Sequence, residues 1–209
     1  GSWLFTNKIN NPFEGIRKTD TEWYSIDVPS EWYMESFQVE PGKWAGYYKE
    51  FVLPSDWKEQ KTLIRFGAVE SECKIFLNGK YVGEHIGSMT QFEKDLTPFL
   101  LSGKNQLIVY VRNESLASEI SKISHYAKHQ AGGILRGVEL ITVPQTYIND
   151  LYCNAKLSDN LSQGILDIHI SLSGKLQNKK VEVIVRERGI EGLPMNGKVI
   201  YNEKMTLKQ

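Results

Sequence analysis

His125 and His129 are four residues apart, a spacing that on a helix puts two imidazoles on one face, as some zinc sites need. No third ligand accompanies them: the nearest acidic neighbour, Glu119, is six residues before His125. A metal is therefore not expected. The two histidines, with Tyr126 between them in the chain, read better as part of a solvated loop, with packing or hydrogen-bonding roles as the alternatives. A second candidate is Lys43 with Trp44, which follow Pro41 and Gly42 and so read as loop residues rather than members of an alternating strand. An aromatic ring in a loop can stack on the C–H face of a pyranose. Five tryptophans and the Tyr47, Tyr48 pair crowd the first quarter of the chain, and most are expected to pack in a core.

Other chemistries find no support. Ser, His and Asp are present, but there is no Gly-x-Ser-x-Gly elbow. Gly83 and Gly87 are four apart, without the Lys-Ser/Thr pair or the following helix of a phosphate cradle. Cys73 and Cys153 are far apart and lack metal or redox spacing, so both are expected to be buried free thiols. No cofactor is implied. Twenty-five basic residues balance 25 acidic ones, which gives no reason to expect a nucleic acid or an anionic membrane as partner. No apolar run approaches the ~20 residues that span a bilayer.

The candidate residues must be held by strands. Apolar and polar residues alternate over 48–53, 63–66, 74–77, 107–111 and 138–143, with Pro-, Asn-Gly- and Ser-Gly-containing clusters between them. The Asn78, Gly79 pair between Ile75-Phe76-Leu77 and Tyr81-Val82 predicts a tight hairpin, because both central residues of its turn need positive φ. Apolar spacing over 115–128 suits a short helix or an ordered loop. Many short strands read as a sandwich, not as a parallel sheet with crossover helices. A second unit should begin near Pro144, with candidate strands over 147–155, 164–172, 180–186 and 199–207. An immunoglobulin-like sandwich needs about seven strands and about 100 residues, so the second unit is expected to be incomplete. Its open edges would make self-association possible.

Several blocks in order, "GYYKEFVLP", "RFGAVESECKIFLNGKYVGEHIGSMTQFEKDLTPFL", "GKNQLIVYVRN" and "GGILRGVELITVP", resemble the N-terminal domain of glycoside hydrolase family 2. "INDLYCNAKL" resembles the start of that family's immunoglobulin-like second domain. The resemblance implies an all-β chain: a jelly-roll β-sandwich over residues 1–145, then a partial immunoglobulin-like β-sandwich over 146–209. It implies the non-catalytic N-terminal portion of a retaining exo-β-glycosidase of the β-galactosidase or β-glucuronidase kind. The two catalytic glutamates of such enzymes belong to a (β/α)₈ barrel of about 250 residues, and carbohydrate would be met through that barrel.

In the family's β-galactosidases an Asn shortly before the Gly-x-Tyr block and an Asp shortly before the Gly-Ile-x-Arg block reach the sugar. Lys43 and Ala127 stand at those places here, so galactoside specificity does not carry over, and "VGEHIGSMTQFEKDLT" is close to the β-glucuronidase pattern. Substrate-wall candidates are Lys43, Trp44, His125, Tyr126 and His129. Arg136 is expected to pair with a carboxylate or with backbone carbonyls at a domain junction. A stand-alone carbohydrate-binding module and a structural or adhesion sandwich remain the other readings.

Overall fold

The computed structural model describes residues 1–9, 11–13, 21–57, 60–115, 131–187 and 197–207. They form strands, two short 3₁₀ turns and loops, in two compact units, Gly1–Val143 and Pro144–Gln209. Among the described residues no helix is long and apolar enough to cross a membrane.

In the first unit, β1 (Ser2–Ile9), β2 (Tyr24–Asp27), β3 (Trp44–Val52), β6 (Glu72–Leu77), β7 (Lys80–Ile86) and β9 (Lys104–Arg112) make a six-stranded antiparallel sheet in the order β2-β1-β3-β9-β6-β7. A three-stranded sheet runs β11-β4-β8, from β4 (Lys61–Phe66), β8 (Phe92–Asp95) and β11 (Val138–Val143). A short pair joins β5 (Val69–Glu70) to β10 (Gly133–Ile134). Alternate residues point to opposite faces of a strand. Phe5, Ala45, Tyr47, Leu107, Val109, Val111, Cys73, Ile75 and Leu77 therefore share the inner face of the large sheet, where they meet Ile64 and Phe66 in one core. Ile9, Tyr48, Phe76, Ile108 and Tyr110 form a second, smaller cluster from the intervening positions, with Trp23 packed on it. This is the sandwich that the alternation implied.

The β6–β7 turn takes the backbone its residues demand, with φ of 53° at Asn78 and 75° at Gly79. The Asn78 side chain also ties this turn to the next one. Its Oδ1 accepts from Gln106 N at 2.9 Å, and its Nδ2 donates to Phe99 O at 2.9 Å and to Asn105 Oδ1 at 2.8 Å. Asn105 is fully buried and donates to the carbonyls of Leu101 and Gly103. A buried amide with its hydrogen bonds made is structural, so this hairpin is a staple and not a binding loop.

The second unit consists of two hairpins. β12 (Thr146–Leu157) pairs with β13 (Gly164–Gly174), and β14 (Lys180–Arg186) pairs with β15 (Val199–Thr206). Register puts Leu151, Cys153, Ala155 and Leu157 on one face with Ile170, Ile168 and Leu166, and polar residues such as Asn154, Lys156, Asp167 and His169 on the other, beside Tyr152 and Ile165. That apolar face has little to cover it. A groove of about 600 Å³ lies between Leu166, Ile168 and Ile170 of β13 and Val183, Val185, Ile200, Tyr201 and Met205 of the second hairpin. No described residue of this unit is buried. Cys153 is accordingly exposed, against the expectation of two buried thiols, while Cys73 is buried with its thiol pushed up to about 12 by loss of solvent.

Candidate functional site

The Lys43 turn and the described residues on either side of 116–130 are linked by contacts within the first unit. Lys43 is exposed in a turn closed by its own N–H donating to Glu40 O at 3.0 Å. Gly42 in that turn has φ of 74°, and a Cβ there would come within 2.9 Å of Glu114 Oε2. Glu114 and Ser115 lead into residues 116–130. The exit from that segment is held at Gly132, whose N–H donates to Glu31 Oε1 at 3.3 Å and whose carbonyl accepts from Trp32 N at 3.0 Å. A Cβ on Gly132 would fall 2.0 Å from the Trp32 ring, so only glycine lets the chain lie this close to it. Gly133, with φ of 123°, pairs with Glu70, next to Ser71.

Ser71 completes the junction. Its hydroxyl is 2.8 Å from that of Ser115, and its N–H donates to Arg112 O at 2.9 Å. Both ends of residues 116–130 thus meet the Glu70, Ser71 dipeptide, one through Ser115 and the other through Gly133. Glu70 is half-buried. Burial pushes its carboxyl above the usual range, and the bond that Glu70 Oε1 accepts from Ser88 Oγ at 2.9 Å opposes the shift only in part.

Trp44 opens β3 and is a strand residue, not a loop residue. It pairs with Ile9 on one side and Arg112 on the other. The Arg112 guanidinium stands 4.8 Å and the Lys74 ammonium 5.4 Å from its ring centre, each attracted by the ring quadrupole. Lys74 also lies 4.7 Å from the ring of Phe13. The cations are in turn paired: Arg112 with Glu72, and Lys74 with Glu84 at 2.6 Å. Burial alone would lower the Lys74 ammonium, but the bond to Glu84 and the charges of Glu84 and Glu72 outweigh it and hold the group above its ordinary value. A sugar reaching Trp44 would have to share the ring with these cations.

His125, Tyr126 and His129 lie outside the described residues, as do Ala127 and the possible helix. Lys43 and the two ends of their segment are brought to one place; Trp44 adjoins it on β3. Arg136 is exposed, and neither a carboxylate nor a backbone carbonyl is found as a partner of its guanidinium among the described residues; its Cβ lies 2.7 Å from where a Cβ on Gly67 would stand. No group of three or more metal-ligating side chains occurs among the described residues. Sequence reasoning missed Glu31, Glu70, Ser71 and Ser88. Nothing in their spacing marks them, since each acts through a contact made across the fold.

Residues 3–144 match the family model for the glycosyl hydrolases family 2 sugar binding domain. A β-galactosidase of Halalkalibacterium halodurans is 32% identical over 146 residues, covering 70% of this chain and 14% of its own. A putative β-glucuronidase of Formosa agariphila is 26% identical over 216 residues, covering 99% and 25%. Among solved structures, a Bacteroides uniformis β-glucuronidase superposes with a TM-score of 0.72 at 25% identity, over 99% of this chain and 25% of its own. The chain spans 14% to 25% of the length of these curated relatives.

Proposed function

Since the chain belongs to family 2 of the glycosyl hydrolases, we propose that it supplies a non-catalytic wall of the substrate pocket in a retaining exo-β-glycosidase of the β-galactosidase-like kind. The jelly-roll unit, residues 1–145, shapes the pocket and buttresses the catalytic barrel, and residues 146–209 form part of the adjoining sandwich. Lys43, Trp44, His125, Tyr126 and His129 are the side chains offered toward carbohydrate. The observation that supports this most is that the Lys43 turn lies against Glu114, while Ser115 and Gly133, on either side of residues 116–130, both meet the Glu70, Ser71 dipeptide. Rigid strands that hold several loops at one end are a common way to build a binding surface.

A wall differs from a complete site in what it can do alone. The retaining mechanism needs two carboxyl groups about 5–5.5 Å apart across the scissile bond. In this reading neither comes from these 209 residues, so the purified chain turns over neither nitrophenyl β-galactoside nor nitrophenyl β-glucuronide. Turnover that survives removal of host glycosidases would sink the proposal. Monosaccharide binding is at best in the millimolar range or weaker, because a few contacts do not offset the entropy lost on association. Sub-millimolar binding by calorimetry would favour a stand-alone carbohydrate-binding module.

The second unit supports a further part of the reading, self-association of the separate chain. Two hairpins with open edges and an uncovered apolar face are templates for strand pairing. Sedimentation should show concentration-dependent dimers that disappear when residues 146–209 are removed; a monomer at all concentrations would contradict this.

A further inference from the structure

We propose that a second copy of this chain docks along β12, the two strands pairing antiparallel about a two-fold axis at Cys153. The inference rests on the self-association reading above and names its edge and register. β12 is the longest described strand of the second unit, and among the described residues only β13 pairs with it, which leaves its other edge open. The groove of about 600 Å³ is lined by β13 and the second hairpin, so β12 takes no part in it. Leu151, Tyr152 and Leu157 are each more than half exposed. The stretch from Asp150 to Lys156 is regular: its residues pair in step with Ser171 to Ile165, and the irregularity of the strand falls before Asp150.

Charge and side-chain period set the register. Residues directly opposite in an antiparallel pair have their side chains on the same face, so an axis at a residue, and not between two, keeps the apolar faces of both copies on one side. Exposed edges commonly carry charges that keep another strand away. On β12 these are Asp150 and Lys156, of opposite sign, and an axis midway between them, at Cys153, sets each Asp150 against the second copy's Lys156. Leu151 then meets Ala155, Tyr152 meets Asn154, and Cys153 meets itself. With the axis at Tyr152, Asp150 would face Asn154; with the axis at Asn154, it would face Ser158. Both shifts lose the ion pairs, and a two-fold interface makes or loses each contact twice. Lys156 already stands 3.3 Å from Asp167, but it remains more than half exposed there, and an ammonium has three protons to donate.

The test uses the whole 209-residue chain. Opposite residues of an antiparallel pair have Cα atoms about 4.5–5.5 Å apart, within the range a disulfide spans. Diamide takes the two thiol hydrogens of a facing Cys153 pair and is reduced to its hydrazine as the S–S bond forms, so a covalent dimer should appear on a non-reducing gel. In a Cys153→Ala chain carrying Leu157→Cys, the two new thiols stand eight residues apart along the ladder, about 27 Å, and should cross-link at least ~10-fold more slowly. Sedimentation supplies the charge test: Asp150→Lys should weaken the dimer at least ~5-fold, since two attractions become two repulsions, and adding Lys156→Asp should restore it. Dimers in which Leu157→Cys cross-links as fast as Cys153, or which ignore Asp150→Lys, overturn this edge and leave self-association standing. A chain that stays monomeric at all concentrations overturns both.

Discussion

The two units are built from the same kind of strand and differ in what their apolar faces meet. In the first, the inner residues of the six-stranded sheet face a second layer, and Phe5, Phe66, Ile75 and Val109 are fully buried. In the second, β12 and β13 alternate as cleanly, yet Leu151 remains 57% exposed and Leu157 62%. Alternation therefore tells which face of a strand is meant to be covered, and not whether the cover is present. Free energy from burial scales with the area removed from water, at roughly 25 cal/mol per Å². The first unit should hold nearly all of the stability, and the experiments that follow attack that contrast.

The strongest attack is on Trp32. Its side chain is fully buried, with Phe5 and Tyr33 as ring neighbours and Gly132 against its ring. Trp32→Ala should cost about 3–5 kcal/mol, the range for removing a large aromatic from a core, read as a fall in the urea midpoint of the main transition. It should also release Gly132 and so alter the amide signals of the neighbouring junction. A loss under about 1 kcal/mol would place this residue outside the cooperative core.

The two thiols report on the same contrast without a mutation. Cys153 is exposed on β12 and Cys73 is buried on β6, where loss of solvent keeps its thiol protonated. In native buffer Cys153 should react with an aromatic disulfide reagent at least ~100-fold faster than Cys73, which should wait for unfolding of the first unit. Similar rates would mean that the first unit opens readily or that residues 146–209 protect Cys153 through self-association. Repeating the reaction at low and high protein concentration separates these outcomes.

This pair also shows how much was legible in the sequence. The strands, the Asn78, Gly79 turn and the sandwich could be read because they rest on local rules, side-chain period and backbone φ, which the neighbouring residues carry with them. The fate of Cys153 could not, since burial depends on a layer that local sequence does not encode. Trp44 was misread as a loop residue because Pro41 and Gly42 precede it, although the strand begins at Trp44 itself through its pairing with Arg112. At the candidate site, Lys43 could be found from its place before a recognisable block. Glu31 and Glu70 could not, since their meaning lies in contacts to residues 101 and 63 positions away in the chain, Gly132 and Gly133.

A smaller effect is expected in the second unit. Ile168→Ala removes a methylene-rich side chain from the wall of the groove, where it is only partly covered. The cost should be under about 1 kcal/mol in the monomer, because little of the side chain leaves water on folding. If the loss is several-fold larger, the groove is filled in solution. Measuring it at low and high protein concentration shows whether a second copy does the filling.

The smallest effect concerns Glu70 and depends on pH. Burial raises its carboxyl pKa in the folded state above the unfolded value, and the bond from Ser88 restores only part of the shift. When the folded pKa of an acid is the higher one, the folded state binds the proton more tightly, so stability from this group is fully present below the unfolded pKa. It is lost as pH rises through the folded value. Wild type should therefore carry a small penalty at pH 7 that Glu70→Gln, which is neutral at every pH, does not. The variant should match or exceed wild type at pH 7, and the advantage should shrink toward zero by about pH 4, the region of an ordinary glutamate. Paired urea melts at the two pH values give the difference directly. A variant less stable than wild type at pH 7 would show that the ionised carboxyl makes a favourable contact within the chain that outweighs its burial.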